Sequence, residues 1–155
     1  MSTVLRTIEF RCLGVCLGCI CLLSFVVAPG AFGILGNRDL AGAMVGFTLG
    51  RAHLIGLGAG TIYLVAHFLH PSSYPTIARL AAIAVILMVL LTVVSQFYVI
   101  AHLADLRQQM GSVDRTPVTD PLRVSFDRLH QMSVWLESAV LLLGIAAMYL
   151  TVRSS

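Results

Sequence analysis

Lysine is absent from this chain, and all ten of its basic residues are arginine. That absence removes Schiff-base catalysis, which needs a lysine amine. The arginines are dispersed rather than gathered into a stripe, so the formal charge of +3 carries no nucleic-acid footprint, and no nucleic-acid partner is expected. Charge is scarce altogether, at 11% of residues, and it is missing from long stretches. Within segments 12–37, 40–78, 80–104 and 129–152 the only formally charged residues are Arg51 and Glu137. A soluble domain is lacking too, because the longest polar joint, about 104–128, is too short to bury a core of its own. Catalysis on a soluble macromolecule is therefore not expected, and the chain reads as a non-enzyme. There is no internal repeat.

What is present is apolar sequence in four blocks, each at or above the roughly 20 residues that a spanning helix needs. The expected architecture is all-α: an integral membrane four-helix up-down bundle in one domain over 1–155. The spans are placed at about 12–36, 40–69, 76–103 and 129–152, with the fourth helix beginning near 121. Residues 80–91 are apolar all round, which suits lipid contact or full burial. Arg6 and Arg11 ahead of the first apolar run give it the outline of a secretory signal. The run is long for that, however, and Pro29-Gly30-Ala31 is a poor cleavage site, so an uncleaved first span is expected. Arginines beside the spans divide into Arg6, Arg11, Arg79 and Arg153 against Arg38, Arg107, Arg115, Arg123 and Arg128, which leaves membrane orientation open.

Local chemistry marks the helix ends. Asn37 and Asp39 stand where a cap belongs, and His70-Pro71 is a stop because proline disfavours helix at the residue before it. Pro75 suits a first helical turn, Met110-Gly111 a helix end, and Asp120-Pro121 a cap followed by proline at the first helical position.

Small residues indicate where helices meet. Gly42, Gly46 and Gly50 recur at intervals of four, followed by Gly56 and Gly60, while the first span carries Gly14 and Gly18. Such spacing opens a groove for a second backbone, from the same chain, a homo-oligomer or a larger membrane complex. In an up-down bundle, the start of the second helix, the end of the third and the start of the fourth share one membrane side. The polar candidates on that side are Arg51, His53, Gln96, His102, Arg128, His130, Ser133 and Glu137. Arg51 and Glu137 lie deep, so a pair or a network shared with Gln96 is expected, the alternative being a snorkelling Arg51 and a neutral Glu137.

Histidine and cysteine raise two further readings. His53 and His67 are fourteen residues apart on one helix, but no second helix offers a matching pair, so at most a single haem between His53 and His102 or His130 is geometrically open. Cys12, Cys16 and Cys19 share a helix face with Cys21 off it. Soft thiolates suit copper(I) or zinc, yet one straight helix cannot surround an ion, and packing is the expected role. No cofactor and no metal site is expected.

The stretch Phe25-Val26-Val27-Ala28-Pro29-Gly30-Ala31-Phe32, followed by Leu40-Ala41-Gly42, resembles the opening of the small membrane proteins similar to transmembrane protein 205, a domain of unknown function. Arg107, then Asp120-Pro121, then Phe126-Asp127-Arg128-Leu129-His130-Gln131-Met132-Ser133 resembles that family's closing signature. The resemblance covers nearly the whole chain and carries Pro29, Phe32, Gly42, Phe126, His130 and Ser133. It implies a four-helix integral membrane protein, for bacterial members in the cytoplasmic (inner) membrane, and it implies no reaction. A looser resemblance to the CopD-type copper-resistance membrane domain implies copper handling. Three functional classes follow: a structural, assembly or accessory bundle in which Arg128, His130 and Ser133 hold the third joint; a small-molecule or metal carrier; and a haem-binding redox protein.

Overall fold

Pro29 has no N–H to give the Phe25 carbonyl, and its ring crowds that carbonyl, so an apolar helix crossing this point must deform. In the computed structural model, which describes residues 2–69 and 74–154, the first helix absorbs the strain as a π turn. This helix, α1, runs Ser2–Leu22, widens at Leu23–Val27, where the Ala28 N–H reaches Leu23, and continues over Ala28–Ile34.

Helix α2 covers Arg38–Phe68, and the Asn37 side chain caps it by accepting from the Leu40 N–H at 3.0 Å. Helix α3 runs Pro75–Val94, passes a second π turn at Ser95–Val99 and continues over Ile100–Met110. Gly111 ends it with φ 68°, a left-handed conformation that glycine adopts without strain. Helix α4 spans Pro121–Arg153, with Asp120 accepting from the Leu122 N–H and Pro121 in the first turn. All four helices are long and apolar enough to cross a membrane. The expected stop at His70-Pro71 lies outside the described residues. The end of α3 at Met110, with Gly111 as its cap, is the one marked by Met110-Gly111, and α1 begins at Ser2, ahead of the first apolar block.

Each helix packs on its neighbours in sequence, and α1 also packs on α4, so the four close a ring with chain direction alternating. The most extensive interface joins α3 to α4. Its physical basis is small side chains: Ala78, Ala81, Ala82 and Ala84 are buried, and Val140 and Ala147 are buried on α4. The uniformly apolar stretch 80–91 thus divides by size, alanines with Val85 and Met88 inward, Ile83, Leu87 and Leu90 outward. Large apolar side chains cover the outside, Phe25, Phe47, Phe68, Trp135 and Leu142 among them, the surface that acyl chains solvate.

Candidate functional site

The glycine register of α2 leads to the site. Gly46, Gly50 and His53 follow at i, i+4 and i+7, one face of a helix. That face turns inward, and His53 is only 4% exposed. Its Nδ1 lies 3.1 Å from Gln96 Oε1 and its Nε2 2.5 Å from Glu137 Oε1. Ser95 Oγ donates to the same carboxylate oxygen at 3.3 Å. The π turn of α3 starts with Ser95 and Gln96, and both reach this level, Ser95 fully buried and Gln96 partly so. Gly50 lies against the amide: a Cβ there would stand 3.8 Å from Gln96 Oε1, in ordinary van der Waals contact.

A second network closes the other end of the bundle. Glu9 of α1, 1% exposed, accepts from His67 Nδ1 at 2.9 Å and from Arg6 at 3.3 Å. His67 Nε2 donates to the Ala78 carbonyl at 3.0 Å. Arg6 also donates to the carbonyls of Thr151 and Ser154, the negative end of the α4 dipole. The Tyr63 ring stacks on His67 at 5.5 Å, and its hydroxyl lies 2.7 Å from Thr151 Oγ1. The Thr151 hydroxyl donates to the Ala147 carbonyl, so Tyr63 is the donor of that bond. Sequence reading left Glu9 in a polar joint. The signal that finds it is the series Glu9, Leu13, Cys16, Ile20, Leu23, one helix face whose other members pack inward.

Between the networks, about 21 Å apart at His53 and His67 by the helical rise, lies a cavity of about 30 Å³. His53 and Glu137 line one end, Tyr63 the other, and Cys16, Met88 and Thr92 the walls. That volume admits a water molecule.

The remaining expected residues fall elsewhere. Arg51 does not meet Glu137: it is exposed on the outer face of α2, its guanidinium 5.2 Å from the Phe47 ring. Two residues on from Arg51, the helix has turned by about 200°, so His53 takes the inward place. His102 is exposed, bonded to the Tyr98 carbonyl of its own helix. Arg128 and His130 are exposed, the latter stacked on Phe126, and they do not hold the third joint. Asp39 does that, accepting from Ser112 Oγ and the Val113 N–H, together with Arg123, which donates to the Val113 carbonyl. The glycine notch receives side chains of α3 instead of a backbone: a Cβ on Gly42 would stand 2.8 Å from Arg107 Nη2, and one on Gly46 3.9 Å from Nη1. Ser133, buried, lines a separate groove with Phe32, Gly42 and Phe126.

His53 has both ring nitrogens engaged and offers no free lone pair to a haem iron. Cys12, Cys16, Cys19 and Cys21 are free thiols, with Cys16 buried against the Gly56 carbonyl at 3.7 Å. Among the described residues no three His, Cys, Asp or Glu side chains are grouped to hold an ion.

Residues 12–112 match the family model for a domain of unknown function, DUF4149. No curated protein and no solved structure matches the chain.

Proposed function

For this chain, which belongs to the DUF4149 family, we propose a non-enzymatic, carrier-type role in which the bundle interior passes protons between its two ends. The observation that carries this reading is the His53–Glu137 pair at 2.5 Å, opening on a cavity whose far end is Tyr63. Ionisable groups in a membrane interior are costly, and they recur in proton relays.

The chemistry of each pair supports it. His53 hydrogen-bonds through both ring nitrogens, to Gln96 and to Glu137, so ring and carboxylate lie within reach of direct proton exchange. At the opposite end, Glu9 bridges His67 and Arg6, and the stacked Tyr63 stands between that network and the cavity. A proton crossing from Glu137 to Tyr63 needs water in the cavity, which makes wetting the gate.

Proton flux into liposomes carrying the purified protein, read with an enclosed pH dye under an imposed potential, tests the proposal. Flux above that of empty liposomes, lost in Glu137→Gln with an unchanged melting curve, is expected. Wild-type flux equal to the empty control, or a fully active Glu137→Gln, overturns it.

A second reading, the accessory subunit, draws on Gly14 and Gly18. Both are exposed on α1, with nothing within 4 Å of a Cβ built on either, which leaves a face for a second copy or a larger complex. The finer likenesses, to proteins similar to transmembrane protein 205 and to CopD-type domains, and the placing in a bacterial inner membrane, remain expectations of the resemblance. Copper handling draws no support from the cysteine geometry.

A further inference from the structure

Arg107 is a half-buried cation with no carboxylate in direct contact. Among the described residues no carboxylate lies within 4 Å of its guanidinium, and its Nε is buried without an acceptor. An arginine cannot shed its charge, and a buried N–H left unmade costs its desolvation. The guanidinium rests in the Gly42 and Gly46 notch, with its carbon over the Phe126 ring at 5.5 Å. Asp39 attracts it at a distance but spends its hydrogen bonds on Ser112 and Val113, and Asp127 accepts from Arg123.

Arg107 lines a groove of about 850 Å³ at the end of the bundle away from Glu9. Arg38, Arg107 and Arg123 line it where α2 starts and α3 ends, with Asp39, Asp114 and Asp127 on the same rim. Deeper along the helices its walls become apolar. Ile100 lies about 10 Å inward from Arg107 by the helical rise, and Leu49 about 16 Å inward from Arg38. A polar mouth at the level of the lipid headgroups and an oily floor at the level of the acyl chains is the profile of an amphiphile. The rim charges balance, so a ligand with a single negative charge is favoured over a dianion.

We infer that this groove binds a membrane phospholipid, its phosphodiester accepting hydrogen bonds from Arg107 and an acyl chain lying along the Leu49 and Ile100 wall. The site is separate from the His53–Glu137 pair and does not depend on proton transfer. Charge-assisted pairing of arginine with phosphate supplies the head-group affinity, and the apolar wall distinguishes a lipid from free phosphate.

Native mass spectrometry of detergent-purified protein titrated with phosphatidylglycerol tests the inference, with inorganic phosphate as the parallel probe. Wild-type protein retains one lipid, and Arg107→Gln binds it roughly tenfold more weakly, the loss expected for one charge-assisted contact. Gly42→Ala gives a second arm that keeps the charge. Its methyl would stand 2.8 Å from Nη2 and displace only the tip of a flexible side chain, again weakening retention. Equal lipid binding by a folded Arg107→Gln, unchanged retention by Gly42→Ala, or inorganic phosphate displacing the lipid at equal concentration overturns the inference.

Discussion

Two positions on α2 separate a buried site residue from a lipid-facing one. Arg51 and His53 lie at nearly the same depth, so depth alone gives no reason to prefer either; rotation about the axis decides. The glycines at 46 and 50 already record that rotation, and continuing their register reaches His53 and misses Arg51. Glu9 was hidden for a related reason: it follows Arg6 and precedes Arg11, which reads as a wet joint, while its partner His67, and the Thr151 and Ser154 groups that hold Arg6 beside it, are far along the chain. The expected consequence is asymmetric. Removing Glu9 leaves the buried His67 Nδ1 and one Arg6 donor without their acceptor, a loss of about 1–3 kcal/mol for an unmade buried hydrogen bond. Arg51→Ala removes an exposed arginine stacked only on Phe47. Thermal melts in detergent should show Glu9→Ala far below wild type and Arg51→Ala close to it; equal shifts would contradict the placement of both residues.

At the scale of the element, the helix ends were readable because their chemistry is local. Asn37, Asp120-Pro121 and Gly111 each act within one turn of their own position, so no tertiary contact had to be known. The π turns are less local. Pro29 accounts for the first, whereas the second, at Ser95–Val99, has no proline and carries Gln96, which meets His53. Glycines carried the opposite ambiguity, since spacing marks a close approach without naming what approaches. Gly144 meets Leu17 and Met88, where a Cβ would stand 2.7 Å and 3.2 Å away, but Gly14 meets nothing. Gly144→Ala should therefore lose about 1–3 kcal/mol by overpacking, while Gly14→Ala should leave the melt of the isolated bundle unchanged or raise it. Chemical denaturation in mixed micelles measures both, and a destabilised Gly14→Ala beside a tolerated Gly144→Ala would reverse the assignment of faces.

At the scale of the molecule, hydrophobic blocks and their joints were enough to give four membrane-length helices in a ring. Which polar groups converge was not legible, because it depends on the rotational phase of three helices at once, α3 with its π turn among them. The resulting bundle stacks its chemistry in levels: the rim with Arg107, the His53–Glu137 pair, an apolar cavity, and the Glu9–His67 network. All of this rests on the inward meeting of α2 with α4 at His53 and Glu137. Solid-state NMR on protein in lipid bilayers, labelled to recouple His53 Nε2 with the Glu137 carboxyl carbon, measures that meeting directly. A separation of about 3.3 Å, as a hydrogen-bonded pair this short requires, is predicted; no coupling between the two, or coupling of Glu137 to Arg51 instead, would contradict it.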